Sequence, residues 1–228
     1  MFGKQNERTA KNEFVKKCSE PLGAIYEQLH SLPELDVSSL AAEKAALIIV
    51  DMINGFVKEG ALASPNALAI NGTIAGLAAL CKANGMSIAA LADSHGEESP
   101  EFSAFPIHCM SGTAESQITD EILASCDAVR IEKNSTNGFL EPAFKEWLES
   151  LDTTTFVITG VCTDLCVLQL ACTLKSWFNS INRPSRVIVP VDCAATYDGG
   201  SHDSTLVGTM ALYIMQTSGI ELCSKITG

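Results

Sequence analysis

Six short runs of strand-forming residues recur along this chain, and segments with helical periodicity separate them. The first run, residues 45–51, is apolar up to its last residue, as a parallel strand buried on both faces requires. Further strands are predicted at 86–92, 128–132, 155–159, 186–192 and 220–224, and helices at 65–83, 120–125, 142–150, 167–178 and 204–217. This alternation predicts an α/β fold: a three-layer sandwich with a mostly parallel six-stranded sheet.

The length of 228 residues and the hydrophobic content of 46% suit one α/β domain with one large core. Residues 1–44 are richer in charge and are expected to form an N-terminal helical extension, with a helix over 12–30, while residues 45–228 form the domain. The first eight residues are polar and lack the apolar core of a signal peptide, so a cytoplasmic location is expected.

The chain is acidic, with 27 acidic and 15 basic residues and a formal net charge of −12. Nucleic acid and anionic lipid both require a basic surface, so neither is expected as a partner. The nine cysteines show no paired spacing and are expected to be reduced thiols. The cysteines that matter are therefore those placed for chemistry.

Residues 160–167, with the sequence GVCTDLCV, join a predicted strand to a predicted helix. Cys166 is thus expected in the first turn of a helix, beyond the carboxyl end of a buried strand, where open α/β sheets bind ligands. The free N–H groups and the dipole of a helix start are expected to lower the pKa of its thiol. Cys166 is therefore a candidate nucleophile.

Two charged residues follow other strands at the same sheet edge: Asp51 ends the first strand, and Lys133 comes one residue after the third. A carboxylate can take the proton of a thiol, and an ammonium stabilises both anions. Backbone N–H groups of Cys162 and Cys166 could hold an oxyanion. Each residue alone would be an ordinary cap, a solvated lysine or an inert cysteine, but together they predict acyl transfer from an amide or ester through a thioester.

A second polar cluster follows the second strand, where Asp93 and His95 precede a long loop that contains His108. In an extended Asp-x-His segment both side chains point the same way. Three protein ligands with open positions are typical of a catalytic metal site, and this donor set suits zinc, iron or manganese. Without a metal, the two histidines would be ordinary polar residues of a loop.

The segment VDMINGF at 50–56, Lys133 and the segment 160–167 resemble the three signatures of the isochorismatase-like cysteine hydrolases, over roughly residues 45–224. The resemblance implies Asp51, Lys133 and Cys166 as the catalytic triad. It also implies a cis peptide bond before Cys162, which directs the N–H of that residue at the oxyanion.

Asp93, His95 and the segment 106–113 around His108 look like the nicotinamidase branch of this family. That likeness implies a divalent metal, with zinc as the first expectation, on Asp93, His95 and His108. Some members add a glutamate seven residues before the second histidine, which corresponds to Glu101. The implied reaction is hydrolysis of nicotinamide or another small heteroaromatic amide, and the chain is expected to form a homo-oligomer as most members do.

Phe56, Phe105 and Leu165 are expected to form an apolar slot for a flat ring. The chain departs from the family at residues 53–55, where Gln-Asn-Asp is usual, and at Phe105 and Leu165, where a tryptophan and an aromatic residue are common. Two alternatives therefore stay open: a family hydrolase of another small amide, ureide or vinyl ether, and a non-catalytic scaffold. His202 is expected to precede a helix rather than to contact substrate.

Overall fold

The computed structural model describes the backbone of residues 2–228 and the side chains of residues 9–228. The first eight residues, on which the signal-peptide expectation rests, lie outside the described side chains. The helices are α1 (Phe2–His30), α2 (Val37–Ala42), α3 (Asn54–Val57), α4 (Pro65–Ala83), α5 (Asp120–Ser125), α6 (Pro142–Glu149), α7 (Leu168–Ser180) and α8 (Ser204–Thr217). The strands are β1 (Leu35–Asp36), β2 (Ala46–Val50), β3 (Ser87–Asp93), β4 (Val129–Lys133), β5 (Thr155–Val161), β6 (Arg186–Pro190), β7 (Ala194–Ala195), β8 (Glu221–Cys223) and β9 (Ile226–Thr227).

The main sheet has the strand order β4-β3-β2-β5-β6-β8, with the short β7 beside β5, and all of its pairs are parallel. The predicted α/β fold with a parallel sheet is confirmed. The chain reverses direction along the sheet between β2 and β5, and ligands bind at such a point in open α/β sheets. Sequence analysis missed the separate parallel pair β1–β9, because two-residue strands carry no periodicity.

Two apolar layers enclose the sheet, which explains why β2 and β5 are buried at every residue. On one face, α2, α4 and α5 pack against side chains such as Leu47 and Ile49. On the other face, α6, α7, α8 and the end of α1 pack against side chains such as Ile48 and Ile158. The alternate side chains of a strand point to opposite layers, so these strands must be apolar on both faces.

Local capping signals account for the bounds of α4 and α8, which match the prediction. Ser64 accepts the N–H of Asn66 at 3.2 Å, and Pro65 begins α4. Gly85 follows the end of α4 with φ 71°, a conformation that favours glycine. Asp203 caps α8 by accepting the N–H of Leu206 at 2.9 Å.

Helix α1 is longer than the predicted 12–30 and includes Pro21. Its last turns hold it to the domain, because Leu29 is buried while Phe14 and Val15 remain exposed. No helix among the described residues has the length and apolar character needed to cross a bilayer.

Candidate active site

Three strand ends deliver the three residues predicted for cysteine chemistry. Asp51 follows β2 directly, and Lys133 is the last residue of β4 rather than the residue after it. Cys166 lies in a π-helical turn, Thr163–Val167, which joins β5 to α7. All three residues are buried. The parallel sheet therefore brings together side chains that are far apart in sequence.

Lys133 is the centre of this arrangement. Its Nζ atom lies 2.9 Å from Asp51 Oδ2 and 3.7 Å from Cys166 Sγ. It also donates to Asp93 Oδ1 at 2.5 Å and to the carbonyl oxygen of Ser135 at 3.2 Å. Asp51 Oδ1 in turn accepts the N–H of Asp93 at 3.1 Å. We call Asp51, Asp93 and Lys133 the inner ion group.

Burial and mutual attraction set the charges of the inner ion group. Burial acts to lower the pKa of Lys133, but the carboxylates of Asp51 and Asp93 outweigh it and raise that pKa well above its usual value. Burial acts to raise the pKa of Asp93, but the ammonium of Lys133 reverses this and lowers it. Burial, reinforced by Asp93, raises the pKa of Asp51 to about 7 despite Lys133. Asp51 is thus the carboxyl group best suited to take and return a proton near neutral pH.

The expectation of a lowered thiol pKa at Cys166 is wrong. Burial raises the pKa of this thiol well above its usual value, and Lys133 only partly opposes the effect. Burial dominates because the thiol is shielded from water, although its turn leads directly into α7. The thiol therefore needs a base that removes its proton as it reacts.

The turn before Cys166 has the backbone geometry expected from the motif. The Val161–Cys162 peptide bond is cis. Gly160 has φ 119°, and a Cβ atom there would lie 1.9 Å from the carbonyl oxygen of Val50, so only glycine allows β5 to approach β2 here. The carbonyl oxygen of Cys162 accepts hydrogen bonds from the N–H groups of Leu165 and Val167, both at 3.1 Å. The N–H of Cys166, which comes between them in sequence, does not donate to this oxygen.

Asp93, His95 and His108 form the one group of metal-type ligands among the described residues, with ligand atoms within 4.8 Å of one another. The loop after β3 produces this group by returning beside it: the N–H of His95 donates to the carbonyl oxygen of Cys109 at 3.0 Å. His95 Nδ1 lies 3.1 Å from Asn134 Oδ1, and His108 Nδ1 lies 2.8 Å from the carbonyl oxygen of Pro106.

Because an oxygen atom faces Nδ1 in each imidazole, the ring proton lies on Nδ1, and the lone pair of Nε2 is free to bind a metal ion. His95 Nε2 is buried and makes no hydrogen bond, although Asp93 Oδ1 lies 3.5 Å away, and this arrangement is costly unless a cation lies between the two atoms. The residues present therefore fit a divalent metal. Glu101 lies at the side of this group, with Oε2 3.8 Å from His95 Nε2, while its Oε1 accepts the N–H of Thr136 at 2.7 Å.

A cavity of about 430 Å³ opens onto both clusters. Asp51 and Cys166 line it, and so do Asp93 and His108 of the metal-type group. The three residues predicted to form the apolar slot all line it: Phe56, Phe105 and Leu165. This volume is in the range of small-molecule sites.

Sequence analysis missed a further set of residues beside the cavity. Tyr197 lines the cavity and stacks on His202, with ring centroids 3.9 Å apart and an angle of 2° between the rings. His202 does precede α8, as predicted, but its Nε2 also lies 2.8 Å from Asp164 Oδ2. We call Asp164 and His202 the outer ion pair. No sequence pattern links these two residues, because they come from different turns.

Comparison with known proteins finds a matching family model, a similar curated protein and similar solved structures. Residues 45–219 match the family model of the isochorismatase domain. Nicotinamidase 1 of Arabidopsis thaliana is 26% identical over 215 residues, which cover 79% of this chain and 86% of that protein. The structure of N-carbamoylsarcosine amidase from Thermoplasma acidophilum is 26% identical, with a TM-score of 0.64, and covers 78% of this chain and 95% of its own.

The fold is also that of pyrazinamidase of Pyrococcus horikoshii, which was solved in complex with zinc. That structure is 24% identical, with a TM-score of 0.63, and the match covers 78% of this chain and 98% of the other. The family match includes the strand ends that carry Asp51, Lys133 and Cys166.

Proposed function

Because this chain belongs to the isochorismatase family of hydrolases, we propose that it is a metal-dependent cysteine amidohydrolase that converts nicotinamide to nicotinate and ammonia. The observation that carries the proposal is the group Asp93, His95 and His108, which lines or adjoins the same cavity as the Cys166 thiol. A family hydrolase without metal chemistry has no need to leave His95 Nε2 buried and unpaired.

Asp93, His95 and His108 would hold the ion, with Glu101 beside them. When bound, the ion supplies a Lewis acid that can accept a ring nitrogen of the substrate and so orient it. Two imidazoles and a carboxylate suit zinc first, and iron or manganese next. Phe56, Phe105 and Leu165 would enclose the ring, and the carboxamide would then face the thiol.

The chain's own residues carry the chemistry. Asp51 takes the proton of Cys166 as the sulfur attacks the carboxamide carbon, and the N–H groups of Cys162 and Cys166 hold the oxyanion. Asp51 then returns the proton to the departing nitrogen, and ammonia leaves behind a thioester. Water attacks the thioester, with Asp51 as the base, which releases nicotinate and restores the thiol. Lys133 keeps the buried negative charges balanced throughout.

The charge of the cavity favours a neutral substrate. Carboxylates of Asp51, Asp93, Glu101 and Asp198 line it, and among the described residues no lysine or arginine does. Lys133 is buried behind them and already engaged. Isochorismate and N-carbamoylsarcosine both carry carboxylates, for which the lining of the cavity offers no lysine or arginine side chain as a partner. A neutral amide of a flat ring, such as nicotinamide or pyrazinamide, needs no such partner.

The deciding experiment measures ammonia release from nicotinamide by the purified protein, with metal content determined in the same sample. We expect release that a chelator removes and added zinc restores. Cys166→Ala should abolish turnover and keep the metal, and His108→Ala should deplete the metal and raise KM. Cys172→Ala, a half-buried cysteine on α7, is the matched control and should behave as wild type.

Three results would contradict the proposal. Full activity in Cys166→Ala would rule out the thioester route, and unchanged metal content in His108→Ala would remove that residue from the metal group. Hydrolysis of an anionic ureide in preference to nicotinamide would reassign the substrate class.

A further inference from the structure

The outer ion pair lies next to the part of the cavity lining that Tyr197 forms, although neither of its members lies among the proposed reacting groups. Asp164 belongs to the π-helical turn between Cys162 and Cys166. Its Oδ1 accepts the hydroxyl of Thr196 at 2.5 Å, and its Oδ2 lies 2.8 Å from His202 Nε2. One carboxylate therefore ties the turn that carries the nucleophile to the loop that carries Tyr197.

Both nitrogens of His202 face an oxygen atom. Nε2 faces the Asp164 carboxylate, and Nδ1 lies 2.8 Å from the carbonyl oxygen of Tyr197. Neither oxygen can donate a proton, and a neutral imidazole has only one N–H. Both contacts are satisfied together only when His202 is the doubly protonated imidazolium.

The ring of Tyr197 lies flat on that imidazole and also lines the cavity. A cation stacked on an aromatic face is stabilised by the ring's quadrupole. The segment is anchored on its other side as well, because Asn66 donates to the carbonyl oxygen of Thr196 at 2.8 Å and to Asp198 Oδ2 at 3.1 Å. The charged groups that act on His202 are Asp164 and Asp198, and the phenol ring of Tyr197 stacks on the imidazole itself.

We propose that His202 is a positioning residue: as an imidazolium paired with Asp164, it holds Tyr197 as a wall of the cavity and so strengthens binding of a flat ring. The inference deepens the proposed function and, for its kinetic part, rests on it. If His202 loses a proton, one of its two hydrogen bonds breaks and the positive charge stacked on the Tyr197 ring disappears. Substrate binding should then weaken as pH rises, while the chemistry at Cys166 continues.

The chain provides a matched control in Tyr26 and His30 on α1. His30 Nδ1 lies 2.8 Å from the carbonyl oxygen of Tyr26, and the two ring centroids are 3.9 Å apart. No described carboxylate pairs with His30, and neither residue lines the cavity that contains Cys166. The two histidine–tyrosine pairs thus share the Nδ1 contact and the ring separation, and they differ in the angle between the rings (33° in the control pair), in the carboxylate and in their position in the fold.

The kinetic test measures KM and kcat for nicotinamide from about pH 5.5 to about pH 8.5, a range that spans the titration of a histidine. In wild type, KM should rise with pH by about two- to tenfold, the worth of one ring contact. His202→Gln and Tyr197→Leu should show the raised KM at every pH with kcat nearly unchanged, and His30→Gln should follow wild type. A His202→Gln variant that keeps the wild-type pH dependence of KM, or that loses kcat at unchanged KM, would overturn the inference.

A second measurement does not depend on turnover. NMR spectra should show His202 protonated on both nitrogens near neutral pH, and the Tyr197 ring resonances should shift as His202 titrates. Asp164→Asn should lower the midpoint of that titration. Tyr197 resonances that stay unchanged through the titration of His202 would overturn the inference. Wild-type protein that releases no ammonia from nicotinamide would instead count against the proposed function, and the NMR result would still decide the role of His202.

Discussion

The inner ion group and the outer ion pair lie at the same edge of the sheet and use the same kinds of charge, but water reaches only one of them. The side chains of Lys133 and Asp51 are fully buried, whereas those of His202 and Asp164 are 19% and 15% exposed. Coulombic attraction is several-fold stronger away from water, and so is the cost of an unpaired charge. Burial therefore makes the inner group a fixed part of the reaction centre and leaves the outer pair adjustable by pH.

The largest effect should come from breaking the inner group. Lys133→Met leaves two carboxylates buried without their cation, and we expect it to abolish activity and to lower the free energy of unfolding by about 3–5 kcal/mol. Urea unfolding measures this loss. The control is Lys58→Met, which removes a surface pair with Glu121 at 2.9 Å and should cost at most about 1 kcal/mol. If the two variants lost the same free energy of unfolding, burial would not make the ion pairs of Lys133 more important for stability than the surface pair of Lys58.

The next effect separates the roles of the two carboxylates. Asp51→Asn removes the proposed base without changing its shape, so kcat should fall by about 10²–10⁴-fold while the fold and metal content are kept. Asp164→Asn weakens the outer ion pair, so it should raise KM and leave kcat close to wild type. Steady-state kinetics at one pH is enough to compare them. If kcat fell by the same factor in both variants, Asp164 would affect the chemical step as Asp51 does, and the proposed separation of their roles would be wrong.

The smallest effect is a pH-dependent contribution of the outer ion pair to stability. Burial acts to lower the pKa of His202, but the hydrogen bond and charge of Asp164 raise it above its usual value. The folded state therefore binds the proton more tightly than the unfolded chain. This stabilisation is fully present below the unfolded pKa of about 6.5 and is lost as pH rises through the folded pKa.

Because the pair is partly solvated, its contribution should be less than about 1 kcal/mol. The free energies of unfolding of wild type and His202→Gln should differ more at about pH 5.5 than at about pH 8.5. A difference that is the same at both pH values would show that His202 does not change its charge state between them.

The sequence allowed the fold to be predicted where each element carries its own local signal. Pro65 marks the start of α4, Asn84 and Gly85 mark its end, and an unbroken apolar run marks β2. The positions of Asp51 and Cys166 beyond their strands followed from those elements, because parallel strands bring their carboxyl ends to one edge.

What the sequence did not reveal depends on contacts between distant residues. The pKa of Cys166 was predicted in the wrong direction, since the depth of a thiol below the surface is a property of the packed layers and not of its motif. Asp164 and His202 were not paired, because they come from two turns whose contact requires the folded sheet. The strands β1 and β9 lie near opposite ends of the sequence and have two residues each, so neither gives a local signal of the pairing.

One consequence of the metal-type group concerns how it would respond to the supply of ions. Hydrogen bonds to Asn134 and to the carbonyl oxygen of Pro106 orient the rings of His95 and His108 before any ion arrives. In structural zinc domains the metal creates the fold, but here the sheet and its loops already exist, so loading needs little rearrangement. The protein should therefore survive chelation intact and exchange one ion for another, and the metal found in a preparation would reflect which ions were abundant when the chain was made.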